Sequence, residues 1–293
     1  MTRQIDATAA GHWTLGGDLR VARMGFGAMR LPGDPRAGRL NDRDTALKIV
    51  RRAVELGVDH IDTAAFYFHG DLSANELIRA ALHPYPDGLV IATKVGPYRG
   101  PGDAMPTGEL AAGDLRAEVE RNLRELGRDQ LDLVYLRPGL LEPPGDESIG
   151  ERFAVLAELR ERGLIRHLGV SHVSAAQLAE ARRIAPVAAV QNRFDVTMPA
   201  DTALLDVCTR EKIAFVPYFP LGGFGLPDDD RVRRVAARHG ATTAQVLLAG
   251  LLALSPVMLA IPGTSDPAHL EENIAAAGLR LTDEDLADLS AVG

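Results

Sequence analysis

From Gly25 almost to the end of the chain, short strand-like runs alternate with longer segments of helical periodicity. Eight runs each meet a helix before the next run begins. They are Gly25–Met29, His60–Ala64, Leu89–Val95, Leu131–Arg137, Ile165–Ser171, Val187–Gln191, Ile213–Phe219 and Val257–Ile261. Several of them (LVIATKV, VMLAI) are apolar at consecutive positions, as a parallel sheet covered by helices requires. The intervening helices are read at Asp44–Leu56, Ala74–Leu82, Ala112–Leu126, Glu151–Arg162, Ala175–Ile184, Asp201–Glu211, Asp230–His239, Thr243–Leu254 and Pro267–Ala277, with a tail helix at Asp283–Leu289. Gly57, Gly127 and Gly163 stand just past three of these helices, where a left-handed residue ends the last turn. The order predicts an α/β protein, a (β/α)8 TIM barrel, with a doubly wound sheet as its structural rival. Ahead of it, Trp13–Leu15 and Leu19–Val21 flank Gly16-Gly17-Asp18, an N-terminal β-hairpin expected to cap the barrel's bottom. No linker, low-complexity run or fixed-period repeat interrupts the pattern, so residues 1–293 read as a single barrel domain.

A barrel of this kind carries its chemistry at the C-terminal ends of its strands. Asp62 and Tyr67 follow the second strand, Lys94 ends the third and Arg137 the fourth. Ser171 and His172 end the fifth, and Gln191 the sixth. Lys94 interrupts an apolar run, and a buried lysine is costly unless paired. Asp62 is its natural partner. A lysine beside a tyrosine favours phenolate over phenol, below a reference pKa of about 10. Tyr67 could then donate and recover a proton near neutral pH, which suits carbonyl reduction. A structural ion pair beside a packed tyrosine is the plainer reading of the same residues.

Charge and composition remove other classes. The chain has 32 basic and 40 acidic residues, a net charge of −8, so no basic face for nucleic acid is implied. One cysteine, Cys208, excludes an intrachain disulfide and a zinc site of several thiolates. No His-Glu-x-x-His occurs, and no metal site is expected. The first residues have no apolar core of signal-peptide length, and Ala244–Leu254 is too short to span a bilayer. A cytoplasmic protein without membrane partners is expected. A barrel glycosidase would need paired carboxylates, but apart from Asp62 the strand ends offer Lys, Arg, Ser and Gln. Phe66, Phe68, Tyr98, Phe194 and Phe224 fall on top loops and could wall a pocket for a flat ring. No Gly-x-Gly-x-x-Gly is present; Gly25-Phe-Gly27 lacks the third glycine. A dinucleotide would therefore lie on barrel loops. Phe219-Pro-Leu-Gly-Gly223 offers small residues for a backbone to approach a pyrophosphate, though it also reads as an ordinary glycine turn.

The stretch Gly57-Val-Asp-His-Ile-Asp62-Thr-Ala-Ala-Phe-Tyr67, followed by Ile-Ala-Thr-Lys94, resembles the aldo-keto reductase signature. So do Leu164-Ile-Arg-His-Leu-Gly-Val-Ser171, Gln191-Asn192, Pro217-Tyr-Phe-Pro-Leu-Gly-Gly223 and Ile261–Asn273, in the same order along the chain. The resemblance implies a (β/α)8 barrel reducing a small-molecule aldehyde or ketone with NADPH (NADP+ in reverse). Asp62, Tyr67 and Lys94 match three of four catalytic positions, with Tyr67 the general acid. Arg137 stands where the family has histidine. It cannot relay protons, but it can hold a substrate oxygen. The Leu136-Arg137 ending, Ala81-Leu-His-Pro-Tyr-Pro86 and Pro220-Leu-Gly-Gly-Phe224 resemble a narrower subgroup that includes bacterial pyridoxal reductases.

For the cofactor, the resemblance implies Tyr218 stacked on the nicotinamide, with Ser171, Gln191 and His172 at its carboxamide. His172 replaces the usual asparagine. Gly27 and the loop Phe219, Pro220, Leu221 and Gly222 belong to the same cofactor set. Gly263, Thr264, Ser265 and His269 match the 2′-phosphate positions, and Glu272 and Asn273 those at adenine. Gly263 and His269 replace Lys and Arg, so a modest preference for NADPH is expected. Pro267 opens a helix whose N-terminus favours phosphate. The alternative from another class is a regulatory protein that senses NADP(H) on the same barrel with little turnover.

Overall fold

The computed structural model describes residues 5–140, 144–197, 201–223, 225–226 and 228–290. Its central sheet runs β1 (Phe26–Gly27), β2 (His60–Asp62), β3 (Val90–Val95), β4 (Leu131–Leu136), β5 (Ile165–Ser171), β6 (Val187–Gln191) and β7 (Ala214–Phe215). Each strand pairs in parallel with its sequence neighbour, so spatial order equals chain order. A doubly wound sheet would reverse direction midway and is excluded. The eighth position is Met258–Ala260, whose backbone bridges Phe215 on one side and Met24 on the other, both in parallel. The sheet thereby closes into the (β/α)8 barrel that the alternation predicts.

The first two and the last two barrel strands are shorter than expected; β1 and β2 stop at Gly27 and Asp62, where the sequence predicts Met29 and Ala64. The sequence predicts strands over Ile213–Phe219 and Val257–Ile261, but β7 spans two residues and the eighth strand consists of bridges alone. Pro217 and Pro262 have no N–H to give to a ladder, so regular pairing stops before them. Helices cover the outside, from α1 (Arg43–Glu55), α2 (Ala74–Leu82) and α3 (Leu115–Leu126) through α4 (Gly150–Glu161), α5 (Ala175–Ile184) and α6 (Thr202–Glu211). The circle is completed by α7 (Asp230–His239), α8 (Thr243–Leu254), α9 (Pro267–Ala275) and α10 (Asp283–Ser290). Their starts are fixed locally. Ser174 with Gln177, and Thr242 with Gln245, form reciprocal capping boxes on α5 and α8.

Side chains alternate along a strand with period two, and this places the site. A buried apolar cluster that includes Val90, Ala92, Leu133, Tyr135, Ala189 and Val216 fills the barrel. Two residues further along the same strands stand Lys94, Arg137, Gln191 and Tyr218. The inward positions thus change from apolar to polar at the C-terminal end. At the other end the hairpin His12–Leu15/Leu19–Ala22 inserts Leu15 and Val21, both fully buried, into the same cluster. Three two-stranded ribbons missed by the sequence reading are formed by the loops after β1, β2 and β3: Gly33–Asp34/Arg39–Leu40, Phe68–His69/Leu72–Ser73 and Pro97–Tyr98/Gly108–Glu109. The last lies within a Gly- and Pro-rich stretch with no strand periodicity.

Candidate active site

Lys94 and Asp62 are both buried, and Lys94 Nζ donates to Asp62 Oδ1 at 2.5 Å. The same ammonium donates to the Thr63 carbonyl at 3.0 Å. The second carboxylate oxygen, Oδ2, accepts from Gln191 Nε2 at 2.8 Å. The desolvated lysine is therefore compensated from two directions, as burial of charge demands. Lys94 Nζ lies 4.9 Å from the centre of the Tyr67 ring. Tyr67 leaves β2 on a turn closed by its N–H to the Ala64 carbonyl at 3.0 Å, and packs edge-on to Phe66. This turn, five residues past Asp62, lets one loop bring the phenol over the ion pair.

A cavity of about 430 Å³ opens above these groups. Asp62, Tyr67, Arg137, Gln191 and Tyr218 line its floor, and Gly27, Phe219, Pro220, Leu221 and Gly263 one side. Phe66, Phe68, Pro97, Met105 and Leu140 form the opposite, apolar wall. Arg137 is nearly buried; it donates to the Leu140 carbonyl at 2.9 Å and reaches Ser171 Oγ at 3.4 Å. Its guanidinium lies over the Tyr218 ring, 4.8 Å from the centre. It makes no ion pair with a carboxylate among the described residues. Burial raises the Tyr218 pKa, with the Arg137 charge opposing it.

Ser171 and His172 are buried beside Arg137 and Tyr218 and are not among the residues that line the cavity. His172 sits at φ +59°, and its Nδ1 pairs with the Tyr218 hydroxyl at 2.7 Å, so it props the aromatic ring. Phe219 also has φ +59° and Gly222 φ +84°; the Gly222 N–H closes a turn on the Phe219 carbonyl at 3.0 Å. Gly27 and Gly263 lie back to back. A Cβ on Gly263 would stand 2.5 Å from the Gly27 carbonyl oxygen, so neither position admits a side chain without movement.

Thr264, Ser265, His269, Glu272 and Asn273 do not line the cavity; the first two precede α9 and the others lie along it. Thr264 is buried and its Oγ1 accepts from the Asp266 N–H at 3.0 Å. Asp266 caps α9, its Oδ1 accepting from Ala268 N at 2.7 Å and His269 N at 3.4 Å. The amides that the sequence reading offers to a phosphate are thus already engaged by a carboxylate. His269 is exposed, Ser265 and Glu272 are half-buried and Asn273 is buried. Sequence reasoning missed Arg30 and Arg99, which also line the cavity. They follow β1 and β3 on loops whose folding over the barrel mouth has no local signature. Of the aromatic residues expected on top loops, Phe66 and Phe68 line the cavity, while Phe224 lies outside the described residues. Among the described residues, no three His, Cys, Asp or Glu side chains are grouped to hold a metal, and no helix is long and apolar enough to cross a membrane.

A sequence model of the Aldo/keto reductase family matches residues 23–293. The chain belongs to the aldo-keto reductase family. Among its relatives, this aldo-keto reductase is 45% identical over 278 residues to pyridoxine 4-dehydrogenase of Escherichia coli, covering 94% of this chain and 96% of that one. It is 38% identical over 291 residues to an uncharacterised oxidoreductase of Schizosaccharomyces pombe, covering 99% and 92%. Its fold resembles a thermostable aldo-keto reductase crystallised with the inhibitor epalrestat, with TM-score 0.80 and 28% identity over 96% of this chain and 99% of that one. It also resembles an aldo-keto reductase of Klebsiella pneumoniae in complex with NADPH, with TM-score 0.76 and 26% identity over 95% and 93%.

Proposed function

We propose that this aldo-keto reductase reduces an aldehyde to the alcohol with NADPH, and that pyridoxal, an aromatic aldehyde, is among its substrates. The observation that carries the reading is the buried Asp62–Lys94 pair set beneath Tyr67 at the floor of a cavity of about 430 Å³. The back-to-back Gly27 and Gly263 and the Tyr218–Gly223 turn fit a flat dinucleotide end, because they leave backbone and one aromatic face on that side. When bound, NADPH supplies the hydride that reaches the carbonyl carbon.

The proton comes from this chain. Tyr67 protonates the developing alkoxide oxygen, and the Lys94 ammonium favours the phenolate left behind. Arg137 donates toward the same oxygen and polarises the carbonyl. The identity to a pyridoxine 4-dehydrogenase and the apolar wall around Phe66 and Phe68 support the aromatic substrate.

The test follows NADPH absorbance against an aldehyde panel that includes pyridoxal. Wild-type protein should turn over. Tyr67→Phe should lose about 10²–10⁴-fold in kcat and still bind NADPH, because only the proton donor is removed. Wild-type turnover in a folded Tyr67→Phe protein would remove Tyr67 from the mechanism. No turnover of any aldehyde by wild type would favour an NADP(H) sensor instead.

A further inference from the structure

The charged residues lining the cavity are Arg30, Asp34, Arg36, Asp62, Arg99 and Arg137. Asp62 is matched by Lys94, and Asp34 by Arg30 at 3.1 Å. Arg99 is different. Its Nε donates to the Asp103 carbonyl and its Nη1 to the Phe66 carbonyl, each at 2.9 Å. The guanidinium stacks on Phe68, 4.2 Å from the ring centre. These contacts orient a half-buried cation without closing an ion pair among the described residues. The carboxylate of Asp103 is directed elsewhere, to Gly100 N at 2.9 Å and Thr107 Oγ1 at 3.1 Å. Nη2 of Arg99 has no protein partner among the described residues. Burial lowers the Arg99 pKa, with the nearby Asp103 carboxylate opposing it.

We infer that Arg99 is the anion-binding end of the substrate pocket, and that the preferred aldehydes carry an anionic oxygen group, a carboxylate or a phosphate. The inference rests on the reductase reading and deepens it. Arg99 holds the carbonyl of the residue just before Tyr67 and lines the same cavity as the proton donor, so one substrate can meet both. A planar guanidinium with donors to spare matches two anionic oxygens at once. The surrounding Phe66, Phe68, Pro97, Met105 and Pro106 are apolar, which strengthens an ion pair formed there.

The experiment compares matched substrates: 4-carboxybenzaldehyde with 4-methylbenzaldehyde, and pyridoxal 5′-phosphate with pyridoxal. Wild type should favour the anionic member of at least one pair by about 10–100-fold in kcat/KM, the worth of a charged hydrogen bond. The first pair reports a carboxylate and the second a phosphate. Arg99→Met should bring the ratio close to one, and Arg99→Lys should restore part of it. Equal kcat/KM within both pairs in wild type overturns the proposal. An equal loss for both members in Arg99→Met also overturns it, and leaves Arg99 as a clasp that positions Tyr67. Calorimetric titration with 4-carboxybenzyl and 4-methylbenzyl alcohol and with pyridoxine and its 5′-phosphate reads the same discrimination without turnover. Selective binding of either anionic alcohol, lost in Arg99→Met, would sustain the subsite even if the reductase reading failed, and binding without selectivity would reject it.

Discussion

Arg137 has the side-chain surroundings of a group that faces a ligand. Its contacts are a carbonyl, a hydroxyl and an aromatic face, none of which neutralises it. A structural role would call for a carboxylate; Glu142, the loop residue that sequence proximity suggests, lies outside the described residues. If Arg137 holds the carbonyl oxygen, Arg137→Met should lower kcat/KM by about 10²–10³-fold, as for a lost oxyanion donor, with little change in melting temperature. A lower melting temperature with unchanged kcat/KM would instead give it a purely structural role. The Asp62–Lys94 pair was legible in the sequence because a lysine inside an apolar strand must find an anion. Arg99 was not, because its meaning depends on Phe66 and Phe68, which reach it from another loop.

At the scale of elements, helix positions were readable to within three residues from periodicity and caps, but strand lengths were not. The two-residue β7 and the bridged eighth strand carry the same apolar runs as a full strand; prolines that begin the top loops cut the ladders short. The start of α9 shows how an element's electrostatics can be reassigned by one residue. Asp266 engages the terminal amides and places a negative charge at the helix end to which the family resemblance assigns a 2′-phosphate. Asp266→Asn keeps a capping oxygen and removes that charge. Fluorescence titration should then show NADPH binding gaining about 2- to 5-fold over NADH, the range of a surface charge at a helix end. An unchanged ratio would locate the 2′-phosphate away from α9. In β2, His60 is fully buried and neither ring nitrogen finds a partner among the described residues. Burial lowers its pKa below 6.5, so the folded state binds its proton less readily than the unfolded state does. That contribution to stability is complete above pH 6.5 and is lost as pH falls. Between pH 7.5 and 5.5, urea unfolding of wild type should lose stability that His60→Leu retains. Equal losses in both proteins would mean that His60 protonates without penalty in the fold.

On the scale of the whole molecule, the barrel separates what holds it together from what does chemistry. The count of alternating strands and helices made the fold readable, and the polar strand ends with it, but not which side chains face inward. That follows from register: the interior cluster of Val90, Leu133, Tyr135 and Val216 gives way to Lys94, Arg137 and Tyr218 only toward the C-terminal ends of the strands. Leu15 plugs the opposite end. It is fully buried within the same interior cluster, while the hairpin tip is tied to β5 by Asp18, paired with Arg166 at 2.7 Å and His167 at 2.6 Å. Leu15→Ala leaves those surface pairs in place and opens a cavity beneath the barrel, which costs about 2–5 kcal/mol. The loss should appear as a lower melting temperature and urea midpoint. The Asp62–Lys94–Tyr67 constellation stands at the far end of the strands, with intact layers of Val90, Ala92 and Tyr135 between. At 25 °C, where the variant remains folded, kcat/KM should therefore stay within about twofold of wild type, since well-separated sites act additively. A matching fall in kcat/KM under those conditions would show that the plug sets the geometry of the catalytic layer, and that the barrel transmits strain along its axis.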